Sequence, residues 1–551
     1  MANQVRSVSA GTDASDRASL AVASPVVVDA EPAMGLHDEP DPDVRTTGFA
    51  SWGLVVVALG VTVVGVVLRF VAPSPLWLDE ALSVNIASLP VGEIPEALRQ
   101  DGHPPAFYVL LHHWMEVFGS SDASARALSG LWGLLFLPLV WVAGRRLGGL
   151  RVAWCALALA ASSPYAIRYA TEVRMYSMVA VLALAGWLLA GDALRRPTWW
   201  RLTGLALLAA LGLWTHYWTL WLLGGAAMAL LVRWWRLRGE GDTVAQRDTL
   251  KVLGSLVVGG LLFLPWVPTL LHQGEHTGTP WARPMRPTEI LAHTVGSFGG
   301  GGVLPEAFLL GWLLVGLAVL GLLGRHVGSG SVLLEVRTQL AARPLAIIVT
   351  TTFALGCLAG YATGATYQPR YAAVVFGLFL LLVAMGVQTL ALRTAGILVL
   401  AGICVLGVAV AVLHLREDRS DADRSAEVIE ARAEPDDLVV YCPDQLGPST
   451  SRRLGDDLRQ VTFPDLAPPQ RVDWVDYQQR LDETSVDDFA DRVVAEADGA
   501  AIFLVYSPTY STHEELCPDL VDALAERRPL EMLAGLGEAF EPAAVIRFGT
   551  P

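Results

Sequence analysis

The chain has 551 residues, 53% hydrophobic and only 17% charged, with a mean hydropathy of +0.45. Soluble domains carry roughly 25% charged residues, so this composition excludes a purely water-soluble protein; the apolar runs are continuous rather than alternating, which excludes a membrane barrel. The net charge of −15 is concentrated: residues 416–551 hold 30 Asp/Glu against 13 Arg, a solvated acidic segment that argues against nucleic acid and against docking on anionic lipid.

In chain order, residues 1–48 are rich in Ala, Ser, Asp and Pro without apolar periodicity, which predicts a disordered cytoplasmic tail. The first apolar run starts too late and is too long for a cleavable signal. It is expected to be a span, 49–72, that doubles as an uncleaved anchor. Basic clusters occur at 144–151, 195–201, 233–251, 324–344 and 391–396. The positive-inside rule puts all five in the cytoplasm. The runs between them alternate correctly only with about eleven transmembrane helices: 49–72, 124–146, 151–167, 174–194, 198–213, 216–235, 249–271, 304–324, 344–362, 370–390 and 394–415. The expected fold class is therefore a polytopic α-helical membrane protein of the plasma membrane. Its N-terminus lies inside and a C-terminal extracytoplasmic α/β domain, 416–551, lies outside.

The segment "HPPAFYVLLHHWMEVFG", 103–119, is apolar but short and holds His112, His113 and Glu116. If it crossed, the first basic cluster would land outside, so it is read as an interfacial helix. Residues 73–123 then form one extracytoplasmic loop of two or three surface helices. Asp79 and Glu80 open that loop, in "PLWLDEALSVN". His112 and His113 are neighbours on a helix, expected to diverge, and receive no role.

Other outer loops collect polar and aromatic groups. In "SSPYAIRYATEVRMYS", 162–177, Glu172 and Tyr176 are four apart and are expected to share a helix face, with Arg174 turned elsewhere. "WTHYW", 214–218, is a tight turn with His216 and Tyr217. Residues 272–302 read as a long Gly/Pro-rich loop, and "YATGATYQPRY", 361–371, leads into the tenth span. Pro265 and Pro268 are placed to break the seventh. From about 425 onward, helix and strand patterns alternate, predicting a small α/β sandwich with a partly parallel sheet. Its loop 441–453 is the expected ligand-facing edge. Cys155, Cys357 and Cys404 read as packing residues in spans. Cys442 and Cys517 each follow a predicted strand of the outer domain and are the candidates for a disulfide.

"PLWLDEALS", "DGHPPAFYVLLHHW", "EVRMYS" and "YQPRY", in this order and on one side of the membrane, resemble the GT-C superfamily of integral-membrane glycosyltransferases. Within it the similarity is to family 39: protein O-mannosyltransferases, aminoarabinose transferases and related lipid-carrier-dependent enzymes. The likeness covers roughly 49–415. It implies transfer of a sugar, mannose by default, from a polyprenyl-phosphate donor to a glycan, glycolipid or protein acceptor of the cell envelope. Such a reaction needs a base for the acceptor hydroxyl and a cation for the phosphate. The resemblance assigns the base to Asp79, in an inverting reaction, and the phosphate contact to Arg370. Arg174 is expected near the carrier phosphate or a carboxylate, or else in an ion pair that stabilises its loop. From residue type alone, Asp79 is equally an N-cap and Arg370 an interfacial anchor.

Burial beside Trp77 is expected to raise the Asp79 pKa. Glu80 is assigned to orienting Asp79 or the acceptor, and His103 to contacting a sugar. Glu172, Tyr176, His216, Tyr217 and Tyr367 are expected to line the cavity. No cofactor and no obligate metal are expected, because Asp79 and Glu80 diverge and no cluster has zinc spacing. The rival readings are a lipid or sugar transporter or flippase, a non-catalytic receptor, and a ligase using a polyprenyl-diphosphate donor. Against transport, the conspicuous ionisable residues gather at the outer face rather than mid-membrane.

Overall fold

The computed structural model describes residues 48–277, 285–301, 306–327, 331–336, 338–363, 367–390, 393–455, 457–513 and 515–550. Of the tail expected over 1–48, residues 1–47 lie outside them. Among the described residues, seven helical runs are long and apolar enough to cross a membrane by length and composition, and Trp52–Leu68 and Ala307–Leu323 are shorter apolar helices. Each of the eleven expected spans falls on a helical segment, because one run holds two of them and one helix is only 17 residues long.

The first helix, α1 (Gly48–Leu68), leads to three short helices: α2 (Leu78–Ala87), α3 (Ile94–Asp101) and α4 (Ala106–Phe118). The 41-residue α5 (Asp122–Ser162) is two antiparallel arms. Gly149 adopts φ +78, a region that an L side chain resists, and there the chain reverses. A Cβ on Gly144 would lie 2.9 Å from the Ala153 Cα, so the arms pack backbone to backbone. The short α6 (Pro164–Ala170) follows. Then α7 (Tyr176–Arg195), α8 (Trp199–Thr215), α9 (Thr219–Glu240) and α10 (Thr243–Leu261) run in alternating directions. Pro265 and Pro268 end the seventh span early, through a 3-10 turn at Leu264–Trp266, and α11 (Val267–His276) resumes.

The stretch read as an open loop, 272–302, instead contains α12 (Pro287–Phe298). Its Pro287 start and the Glu289 carboxylate on the Arg286 N–H cap it, and Ile290, Val295 and Phe298 bury one face. The bundle closes with α13 (Glu306–Leu323), a small hairpin of β1 (Gly324–Val327) and β2 (Ser331–Leu334), α14 (Arg343–Thr363), α15 (Ala373–Thr389) and α16 (Arg393–Arg416). The apolar all-round sequence of α15 suits a helix surrounded by protein. It is almost wholly buried, packed on α5, α7 and α13. Its lead-in turn, Pro369–Ala372, carries Arg370.

After α17 (Ala422–Glu430) comes a five-stranded sheet: β3 (Leu438–Cys442), β4 (Arg459–Thr462), β5 (Ile502–Tyr506), β6 (Leu530–Ala534) and β7 (Ala544–Phe548), in the order β4-β3-β5-β7-β6. β3 runs parallel to β4 and β5, and β7 runs antiparallel to β5 and β6. Helices α18 (Gly447–Thr450), α19 (Tyr477–Asp482), α20 (Val486–Glu496) and α21 (Leu516–Arg527) complete it. Alternate strand residues feed two apolar layers: Leu438, Val440, Ile502 and Leu504 on one face, Val439, Tyr441, Phe503 and Val505 on the other. A disulfide joins Cys442, at the end of β3, to Cys517 in α21.

Gly149→Ala forces a Cβ into the left-handed turn of α5, at a cost of roughly 1–2 kcal/mol. The thermal midpoint of the detergent-solubilised variant is expected to fall, and an unchanged midpoint would contradict this account of the turn.

Candidate active site

The site begins with α2, which was expected at the surface and is instead largely buried. Its first turn presents two carboxylates about 100° apart. Glu80 faces inward with no exposed surface. Arg126 of α5 grips it bidentately, Nε to Oε1 at 2.8 Å and Nη2 to Oε2 at 2.6 Å. The Val173 N–H donates to Oε1 at 3.0 Å, and Arg419 stands 3.5 Å from Oε2. Arg126 spends its remaining N–H groups on the carbonyls of Ala72, Ser74 and Pro75. Arg419, from the segment after α16, donates to the carbonyl and hydroxyl of Thr171. Burial pushes the Glu80 carboxyl up, but Arg126, Arg419 and the Val173 N–H together outweigh it and the group is held below its ordinary pKa. A carboxylate enclosed this way cannot reach an acceptor. Of its two expected roles, orienting Asp79 fits the geometry and acceptor contact does not.

Asp79 is turned away from Glu80 and keeps 14% of its side chain exposed. Arg174 Nη2 lies 2.8 Å from Oδ1 and Arg370 Nη1 lies 2.5 Å from Oδ2. Burial raises the carboxyl, but the two guanidinium groups together overcome it and hold the pKa at about 2. The expectation of a raised value considered Trp77 and missed this pairing. The Arg370 guanidinium also sits over the Trp77 ring, 5.9 Å from its centroid. Both Asp79 oxygens are thus engaged by cations.

Behind Arg174 runs a polar chain. Its Nη1 donates to the Tyr108 hydroxyl at 2.9 Å, Tyr108 donates to Asp101 Oδ2 at 3.1 Å, and His103 Nδ1 lies 2.9 Å from the same oxygen. His103 is partly exposed at the end of that chain. The shared-face argument for Glu172 and Tyr176 fails because residues 171–175 are not helical and α7 begins at Tyr176. Arg174 turns toward Asp79 for the same reason. Glu172 is buried against Arg168 at 3.1 Å and does not line the opening.

Tyr176 packs between Tyr169 and His216, and His216 packs on Tyr371, next to Arg370. His216 Nδ1 accepts the Trp218 N–H at 3.1 Å, which leaves Nε2 to carry the proton. Burial lowers its pKa to about 3, so the ring is neutral. Tyr217 is drawn away to Gln273 and Trp266. Tyr367 bonds Thr294 at 2.7 Å and supports the Trp218 and Tyr371 rings from behind.

The C-terminal domain supplies a third carboxyl that no motif signalled. Glu541 Oε2 accepts the Leu78 N–H at 2.9 Å, satisfying an otherwise open donor at the start of α2. Burial pushes the Glu541 carboxyl well above its ordinary pKa. Phe540 meets the Trp77 ring edge-on at 5.7 Å. Asn85, on α2, donates to the carbonyls of Pro448 and Gln470, and Arg452 donates to its Oδ1. The loop 441–453, expected to face a ligand, is therefore mostly buried against α2. Arg126, Arg419, Tyr108, Asp101 and Glu541 were all missed by motif reading. An arginine in the first turns of a span, as Arg126 is, was the available signal for one of them.

A family model described as dolichyl-phosphate-mannose-protein mannosyltransferase matches residues 102–267. No curated protein sequence matches the chain significantly. Among solved structures, ArnT from Cupriavidus metallidurans in the apo state superposes with a TM-score of 0.57 at 16% identity, covering 90% of this chain and 98% of that one. The chain shares the fold of that ArnT structure. The same ArnT bound to undecaprenyl phosphate gives 0.55 at 16% identity, covering 91% and 98%. An Archaeoglobus fulgidus oligosaccharyltransferase gives 0.48 at 12%, covering 88% and 73%. At these identities the likeness is one of fold. In this fold the arginine-held carboxylate sits where the first loop, the head of α15 and the C-terminal domain converge.

Glu541→Ala removes the acceptor for the Leu78 N–H and is expected to lower the thermal midpoint, by a cost of roughly 1 kcal/mol. Glu541→Gln keeps a neutral carbonyl in place and is expected to stay near wild type. Equal losses in the two variants would show that the carboxyl acts as a charge instead.

Proposed function

We propose that this protein transfers one sugar from a polyprenyl monophosphate to an acceptor hydroxyl at the membrane surface, with inversion at the anomeric carbon. The observation that carries the reading is Asp79 held between Arg174 and Arg370. Asp79 takes the acceptor proton as the acceptor oxygen bonds to the anomeric carbon. The bond from that carbon to the phosphate oxygen breaks, its electron pair stays on the carrier phosphate, and the two arginines neutralise the charge.

Charge bookkeeping favours a monophosphate carrier. Two guanidinium groups and one carboxylate leave one positive charge, which matches the single negative charge of a sugar phosphodiester. After transfer Asp79 is protonated, and the two free positive charges match the phosphate monoester that leaves. A diphosphate carrier would exceed the site by one negative charge at both stages, which weighs against the ligase reading. The donor phosphate must also draw the arginines from Asp79. A carboxylate pinned at about pKa 2 is a weak base, so donor binding is what makes it competent.

The ArnT structure bound to undecaprenyl phosphate supports a polyprenyl carrier. The mannosyltransferase model supports mannose as the sugar, and so a hexosyl rather than a pentosyl transfer, with a protein among the cell-envelope acceptors. The alternating helices carry the arginine-rich segments around 148, 195–201 and 233–251 to the end opposite Asp79, which supports a site facing away from the cytoplasm in the plasma membrane.

Asp79→Asn is expected to cut transfer by roughly 10²–10⁴-fold while donor binding persists, measured with radiolabelled polyprenyl-phosphate sugar in membranes. Near-normal turnover would remove Asp79 as the base. Arg370→Ala is expected to act mainly on donor affinity. The pH profile carries a second expectation. In the free enzyme Asp79 is ionised throughout the accessible range, so kcat/KM shows no acid limb from it. In the donor complex the arginines are shared with phosphate, the carboxyl pKa rises, and kcat acquires an acid limb. Coincident limbs would contradict this exchange of partners.

A further inference from the structure

His112 and His113 were set aside as neighbours that diverge on a helix. The structure gathers them with Glu116: one ring nitrogen of each histidine and a carboxylate oxygen lie within 4.8 Å of one another. His112 Nε2 is 3.5 Å from Glu116 Oε1, one helical turn on, and His113 Nδ1 is 2.9 Å from Oε2. A Zn²⁺-sized ion with bonds of about 2.0–2.2 Å spaces its donors about 3.3 Å apart in a tetrahedral shell. The His113 and Glu116 side chains are 60% and 59% exposed and free to close that distance.

A second observation concerns the other nitrogen of His112. Its Nδ1 lies 2.8 Å from the Ala87 carbonyl oxygen. A carbonyl can only accept, so Nδ1 carries the proton and Nε2 turns a lone pair toward Glu116. A backbone carbonyl holding the far nitrogen is the outer-shell arrangement that orients metal-binding imidazoles. Ala87 is the last residue of α2, the helix that carries Asp79.

We propose that His112, His113 and Glu116 bind one divalent transition ion of the Zn²⁺ class, water completing its shell, and that the ion braces α4 against the C-terminal end of α2. Two imidazoles and one carboxylate suit Zn²⁺, Ni²⁺ or Cu²⁺ and not Mg²⁺ or Ca²⁺. An ion on Nε2 withdraws electron density from the ring and strengthens the Nδ1–H bond to Ala87. The ligands are distinct from Asp79, Arg174 and Arg370, so the site is a brace and takes no part in sugar transfer.

The test uses the full-length, metal-stripped protein in detergent with Zn²⁺ alone, by equilibrium dialysis and elemental analysis. Wild type is expected to bind one equivalent that His113→Ala and Glu116→Gln each weaken by about tenfold or more. His293→Ala, an exposed histidine on α12, is expected to leave binding unchanged, and excess Mg²⁺ or Ca²⁺ not to compete. Both altered side chains are solvent-facing, so folding does not confound the comparison. Absence of binding by the wild type, or binding that survives both substitutions, overturns the proposal. The readout is bound ion, so either result leaves the transferase reading to be judged on its own experiments.

Discussion

The placement of the candidate site rests on the buried Glu80 carboxylate and its bidentate partner Arg126. Removing such a pair from water costs several kcal/mol and is offset only when every lone pair and proton is satisfied. Here Arg126, Arg419 and the Val173 N–H do so. The consequence is a fixed rotation of α2. With Glu80 locked inward, Asp79 is turned about 100° around the helix, to where Arg174 and Arg370 meet it. The adjacency recurs on the partner strand of chain: Val173 serves Glu80 while Arg174 serves Asp79. Two consecutive residues on one segment thus hold two consecutive residues on another. That is a physical reason for carboxylates at both 79 and 80.

Arg370 is mounted differently. It stands at the head of α15, a helix enclosed by the rest of the bundle. A helix packed on all sides has little freedom to tilt, so the guanidinium is placed by the core itself. Arg174 is instead held by side chains, through Tyr108, Asp101 and His103. One arginine is rigid and the other is tied to a hydrogen-bonded chain that ends near the surface. Asp79 is therefore held between one arginine mounted on the core and one mounted on side chains.

Much of the architecture was legible in the sequence because it is written in long-range composition. Continuous apolar runs and the arginines between them predicted the helices and their alternation, and short apolar runs alternating with helical patterns predicted the central part of the sheet. The edge strands β4 and β6 escaped because little of either is buried, β4 being mostly half-buried and β6 mostly exposed, so their apolar signal is weak. At the site, residues beside recognisable motifs were found and their partners were not. Asp79, Arg174 and Arg370 lie in quotable stretches. Arg126 and Arg419 reach Glu80 from 46 and 339 residues away, and Glu541 reaches the Leu78 amide from 463; no local pattern encodes such contacts. Local reasoning also misjudged two details. It assigned Asp79 the pKa of a buried acid, whereas Arg174 and Arg370 hold it down, and it gave residues 172–176 a helical face, whereas α7 begins only at Tyr176.

The bond from the Leu78 amide to Glu541 joins one of the first segments to leave the ribosome with one of the last. The start of α2, and with it the mount of Asp79, is therefore complete only once the C-terminal domain has folded against it. Loosening of that domain is felt first at the amide end of the helix that carries the carboxylate.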